Sequence, residues 1–191
     1  VVLTPTPDHR EIVIAALEAG YAVICEKALA LSSADCRAID DALNRRRGFL
    51  AVTYNYSGYP MVRELRRLIA EGELGRLHQI HIEMPQEGFL RRAACPQAWR
   101  LQDYGVPTIS LDLGVHVHHL VHFLTGGRRP LAVVGDQSTY GQFPEIVDNV
   151  YCLAHYEDSL RVQSWYGKTA LGYRNGLRIR VFGSQASAEW L

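Results

Sequence analysis

The strongest constraint on this chain is the alternation of its first 55 residues between short apolar runs and helix-period segments, joined by links of a few residues. Val1-Val2-Leu3 reads as the end of a buried strand, and Thr4-Pro5-Thr6-Pro7 as a turn in which Thr6 caps a helix and Pro7 takes its first position. Ile12, Ala15, Ala16 and Ala19 keep helical spacing up to Gly20, a good C-terminal stop. Ala22 to Cys25 forms a second strand, Ser32 and Ser33 open a helix running to about Arg47, and Phe49 to Thr53 forms a third strand. Strand–helix–strand–helix–strand with short links predicts a parallel sheet with right-handed crossovers.

After Tyr56 the pattern changes. Pro60 to about Glu71 is an amphipathic helix, and Leu77 to Met84 alternates Ile80, Ile82 and Met84 against Gln79, His81 and Glu83 as a strand does. Residues 85–107 keep no period, and a loop of that length inside a compact domain is functional or mobile. Ser110 caps a helix that ends near Leu124 before Gly126-Gly127. Leu131–Tyr140, Asn149–Tyr156, Leu160–Tyr166 and Leu177–Phe182 follow as strands with tight links, which favours an antiparallel sheet. The predicted fold is therefore α/β: the carboxyl-terminal part of a parallel sheet over residues 1–55, then an α+β unit with a mostly antiparallel open sheet over residues 56–191.

Twenty basic and twenty acidic side chains balance, so nothing favours nucleic acid or an anionic membrane as partner. The run Arg45-Arg46-Arg47 closes a helix, where its charge suits the dipole. Four cysteines without a CxxC spacing are too sparse for a disulfide scaffold and point to a reducing, cytoplasmic setting. No run approaches the ~18 apolar residues of a membrane span. The chain starts without Met, in mid-strand and without a signal peptide, which suggests truncation.

Chemistry can sit at three places. Glu26-Lys27 lies at the carboxyl end of the second strand, where open α/β sheets bind ligands, although a charged pair is also how a strand meets solvent. Asp112 and His116 stand four apart on one helix face, the arrangement of a carboxylate orienting a proton-transferring imidazole or of a plain surface pair. Gly114 between them weakens the helix, so something must approach its backbone closely. His118 and His122 have metal-ligand spacing, but His118 lies about 200° around the axis from His116 and no third ligand stands out, so no metal site is expected. Trp99-Arg100 can clamp an anion or form a stacked cation. Thr4 to Thr6 can touch a cofactor or serve as a helix cap.

Taken together, these residues resemble one family. Thr4-Pro5-Thr6-Pro7-Asp8-His9, Ala16-Leu17-Glu18-Ala19-Gly20 and Val23-Ile24-Cys25-Glu26-Lys27 resemble the segment of glucose–fructose oxidoreductase and inositol dehydrogenase relatives, the Gfo/Idh/MocA family, that ends in Glu-Lys-Pro. Asn55-Tyr56, Gly72-Glu73-Leu74-Gly75, Trp99-Arg100, Asp112-Leu113-Gly114-Val115-His116 and Phe182-Gly183-Ser184 to Glu189-Trp190 continue the likeness in order. The resemblance implies a Rossmann domain followed by a substrate-binding and oligomerisation domain. It also implies hydride transfer between NAD or NADP and a CH–OH group of a sugar or cyclitol. By that likeness Lys27 positions substrate and nicotinamide, Asp112 contacts the substrate hydroxyl and His116 is the general acid/base. Thr4, Pro5, Thr6, His9, Glu26, Lys27, Asn55, Trp99 and Arg100 contact the cofactor, and the open sheet pairs copies into a homo-oligomer. Neither nucleic acid nor membrane is implied as a partner. A non-enzymatic sugar or nucleotide sensor or scaffold, and an NAD-dependent glycoside hydrolase, share the same fold.

Three features depart from the family pattern. Ala28 replaces the motif proline, and a cis bond before a non-proline costs about 2.5–4 kcal/mol, so Lys27–Ala28 is expected to be trans or the loop strained. Ser57-Gly58 replaces Arg-Phe and removes a cation, and His119 stands where Asp is frequent. No GxGxxG follows a strand, so this polypeptide alone is expected to bind NAD(P) weakly or not at all. Tight saturable fluorescence titration with NADH would contradict that.

Overall fold

The computed structural model describes all 191 residues. Its first part is a small parallel sheet in which β1 (Val23–Cys25) pairs with β2 (Leu50–Val52), while Val2 bridges Cys25 on the other side. Helices α1 (Thr6–Glu18) and α2 (Ser33–Arg46) pack on it around a core that includes Val13, Leu17, Val23, Cys25 and Ile39. Ser32 caps α2 as its chemistry requires, accepting from the Asp35 N–H at 3.1 Å. Thr6 does not cap α1. It is the first helical residue and is buried, Pro5 precedes the helix without a side-chain bond, and proline fills the first turn.

The second part is a six-stranded sheet of order β4-β5-β6-β3-β7-β8. Its strands are β3 (Leu77–Pro85), β4 (Ala132–Ser138), β5 (Asn149–His155), β6 (Arg161–Gly167), β7 (Arg178–Gly183) and β8 (Ser187–Trp190). All neighbours are antiparallel except the central pair β3 and β6, which are parallel. The short strand β8 lies beyond the elements the sequence pattern had marked. A register shift between Leu77 and Gln79 resets the alternation, which is why Leu77 and Ile80 are both buried.

Helix α3 (Pro60–Ala70) and a helix running through to Leu124 cover one face of this sheet over the main core. The second helix starts at Thr108, whose N–H is held by Asp103 Oδ1 at 2.7 Å, so Ser110 is inside it rather than at its cap. Residues Ser110–Gly114 form a π turn and α4 (Val115–Leu124) continues from it. Gly114 is there because of Tyr166 on β6: a Cβ at position 114 would come within 2.8 Å of that ring. The Ser110 and Tyr166 hydroxyls lie 3.0 Å apart beside this contact.

The Lys27–Ala28 bond is cis, contrary to the expectation from the missing proline. Ala28 is buried, and its carbonyl oxygen lies 2.8 Å from His9 Nδ1, so the carbonyl is directed inward onto α1.

Candidate functional site

The site forms where the carboxyl end of β1, the loop before the second helix and the amino-terminal turns of that helix meet. Lys27 follows β1 directly, and its ammonium reaches the π turn, donating at 2.8 Å both to the Asp112 carbonyl and to Asp112 Oδ1. The loop 85–107 is pinned across the cleft, and its short 3₁₀ turn (Ala98–Leu101) presents Trp99 and Arg100. Arg100 lies over the Trp99 ring, 4.4 Å from its centroid, and donates from Nε to Asp112 Oδ2 at 3.2 Å. The stacked cation is present, and the guanidinium is also ion-paired to a carboxylate of the chain itself.

A third cation converges on the same carboxylate. Lys168, one residue past β6, donates from Nζ to Asp112 Oδ2 and sits over the Phe89 ring, 5.1 Å from its centroid. The sequence reading missed it because it lies outside any motif. The strand period carried the signal: Val162, Ser164 and Tyr166 are buried on the helix-covered face, and Lys168 is next in phase.

Electrostatics follow from that convergence. Burial alone pushes the Asp112 carboxyl up, but Lys168 and Lys27 outweigh it and hold it well below the usual carboxylate range. Burial pulls the Lys168 ammonium below its ordinary value against the attraction of Asp112, and Arg100 and Lys27 add repulsion. His116 is pulled down to about 4, first by burial and then by the Lys27 charge, so its imidazole is neutral at physiological pH. Its Nδ1 is buried and has no hydrogen-bond partner.

Two tyrosines hold that ring. Tyr56 meets His116 edge-on at 4.9 Å between centroids, and Asn175 Nδ2 donates to the Tyr56 hydroxyl at 2.9 Å. Tyr54 stacks on His119 at 4.1 Å, which gives the imidazole at that position a packing role. His118 instead meets Tyr166 edge-on on another side of the helix.

Thr4, Pro5, Thr6, Glu26, Lys27, Trp99 and Arg100 line one cavity of about 240 Å³, together with Leu3 and Gln97. Two residues expected to touch cofactor do not line it. His9 is fully buried, its two ring nitrogens 2.8 Å from the Ala28 and Thr4 carbonyl oxygens, so it braces the cavity wall from behind. Asn55 is exposed at the start of a 3₁₀ turn (Asn55–Gly58). Thr53 Oγ1 donates to Glu26 Oε1, leaving Lys27 as the charged group of its pair that reaches across. An aromatic wall, two threonines and two cations suit the nicotinamide end of a dinucleotide. The pyrophosphate end has no counterpart, since no glycine-rich strand–helix turn occurs in the chain.

Comparison with known proteins supports the same frame. Residues 62–189 match the Gfo/Idh/MocA C-terminal domain, and residues 1–54 match the oxidoreductase family with an NAD-binding Rossmann fold. The uncharacterized oxidoreductase YfiI of Bacillus subtilis is 31% identical over 197 residues, covering 99% of this chain and 50% of that protein. The structure of an inositol dehydrogenase homolog from Azotobacter vinelandii, complexed with NADH and myo-inositol, superposes with a TM-score of 0.87. It is 29% identical and covers 99% of this chain and 49% of its own. Levoglucosan dehydrogenase in complex with NADH and levoglucosan gives a TM-score of 0.89 at 26% identity, covering 99% of this chain and 52% of its own. The chain thus spans about half the length of the proteins it matches.

Proposed function

The chain belongs to the Gfo/Idh/MocA family of NAD-binding oxidoreductases, and on that premise we propose that it forms the substrate side of a site for hydride transfer. The reaction assigned to the complete polypeptide moves hydride between NAD(P) and a CH–OH carbon of a sugar or cyclitol. The observation that carries this reading is the buried, unpartnered Nδ1 of His116 beside the Lys27–Asp112 ion pair. A buried polar atom without a partner is rare and calls for one, and a substrate hydroxyl supplies it.

In this reading residues 1–55 contribute the cofactor wall and residues 56–191 the substrate wall. When bound, the nicotinamide supplies the hydride acceptor. The neutral His116 ring takes the hydroxyl proton as the C–H bond breaks, and returns it in the reverse direction. Lys27 has an N–H beyond the two it gives to Asp112, and this polarises the substrate oxygen. Asp112 acts through its neighbours: with both carboxylate oxygens engaged, it fixes the cations rather than gripping the substrate. Tyr56 and Tyr54 exclude water around the imidazole.

The test is NADH formation by the complete gene product on a panel of aldoses, inositols, anhydrosugars, sugar acids and sugar phosphates. His116→Asn is expected to lower kcat by ~10²–10⁴-fold. Undiminished turnover in that variant, or no turnover on the whole panel, would sink the reading.

The uncovered face of the six-stranded sheet is the proposed homo-oligomer surface. Val134, Tyr151 and Leu153 are exposed on neighbouring strands, and Tyr151 stacks on Trp165 at 5.8 Å. Leu153→Asp is expected to shift the sedimenting species to the monomer mass. A wild-type protein that already sediments as a monomer would contradict the assignment.

A further inference from the structure

The charge gathered at Asp112 exceeds what the hydride reading requires. Three cations, Lys27, Arg100 and Lys168, share one carboxylate. Of the other acids nearby, Glu26 accepts from Thr53, and Glu87 is taken by Arg91 and the Gly172 N–H. Of the three cations only Lys27 serves the reacting oxygen, so Lys168 and Arg100 are surplus to hydride chemistry. Lys168 is also the costly one. Its side chain is only 11% exposed, and its single hydrogen bond leaves two N–H donors without a partner inside the protein. Burying an ammonium on a shared carboxylate is unfavourable unless more negative charge completes the site.

We propose that the substrate carries an anionic group, carboxylate or phosphate, that seats on Lys168 and Arg100 while its carbinol carbon faces Lys27 and His116. The proposal rests on the preceding reading of the site and narrows its substrate class to sugar acids or sugar phosphates. Lys168 is then a specificity-determining residue. It bonds Asp112 Oδ2 from the end of β6, whereas Lys27 bonds Oδ1 from the end of β1. Arg100, held by the Trp99 ring and Gln97, keeps its second terminal nitrogen for planar or tetrahedral oxyanions.

Equilibrium binding tests this independently of turnover. The complete gene product saturated with NAD⁺ is titrated by calorimetry with D-glucose, D-glucuronate and D-glucose 6-phosphate. At least one anionic sugar is expected to bind about tenfold or more tightly than glucose. Which of the two wins identifies the anion. Lys168→Met is expected to abolish the preference while weak glucose binding persists, and Lys168→Arg to restore it. A purely structural Lys168 would instead lower all three affinities together, and that result overturns the proposal. So does wild-type protein that binds neither anionic sugar more tightly than glucose, and this comparison decides the matter even if Lys168→Met fails to fold. NADH formation on neutral sugars with no preference for acids would leave the hydride reading standing and remove this one.

Discussion

Asp112 shows how one side chain can tie distant parts of a chain. It meets Lys27 from the first sheet, Arg100 from the long loop and Lys168 from the end of β6. Two residues on, Gly114 is fixed by a different demand. The π turn packs directly on the Tyr166 ring, and a methyl group there has no room. Gly114→Ala is expected to lower stability by ~1–3 kcal/mol, despite alanine being the better helix former. Urea unfolding of the single variant and of Gly114→Ala with Tyr166→Leu checks it: the second change should recover part of the loss. At this scale the sequence was partly legible. Lys27, Asp112 and His116 stood out by motif, and Gly114 by its cost to a helix. Lys168 did not, because a lysine after a strand ordinarily marks a solvated end, and only the topology brings it to the π turn. The cis peptide at Lys27 was not legible, because proline is the local signal for such a bond and position 28 is alanine.

Among the elements, α2 illustrates both ends of helix chemistry. Ser32 satisfies its first turn, whereas Arg47 ends it in the left-handed region at φ 46°. Two substitutions should therefore move thermal stability in opposite directions. Ser32→Ala is expected to cost ~1 kcal/mol, and Arg47→Gly to add ~0.5–1 kcal/mol, since glycine adopts that conformation without a Cβ penalty. Calorimetric midpoints of the two variants measure the signs. Strands β3, β5, β6 and β7 were readable because buried residues recur along one face of each, which writes a period of two into the sequence, whereas β4 is exposed along nearly all its length. The edge strand β8 left little trace, being four residues long and nowhere fully buried. The π turn left none, since widening a hydrogen-bond ladder by one residue changes no side-chain preference.

For the whole molecule, buried imidazoles set the response to acid. In an unfolded chain such a ring protonates near 6.5, whereas His116 in the fold resists until about 4. Between those values the unfolded state binds more protons, so stability present above pH 6.5 drains away as pH falls toward 4. Partial burial shifts His119 in the same direction. Asp112, held low by Lys168 and Lys27 against burial, adds a loss at still lower pH, as its carboxyl is forced to protonate. The urea midpoint is expected to decline steadily from about pH 7 to about pH 4.5. His116→Asn should make the decline shallower by ~2 kcal/mol over that window, after allowing for solvent screening. An unchanged slope would show that this ring does not resist protonation.

The pleat of β6 works as a ruler. Val162, Ser164, Tyr166 and Lys168 are all even steps on one edge of it, so the ammonium arrives under the helix only while that count is kept. Lengthening or shortening the strand end by a single residue would swing Lys168 to the opposite side of the sheet and leave Asp112 with two cations. Descendants of this chain can therefore exchange many side chains along β6, but they cannot tolerate a one-codon insertion between Tyr166 and Lys168.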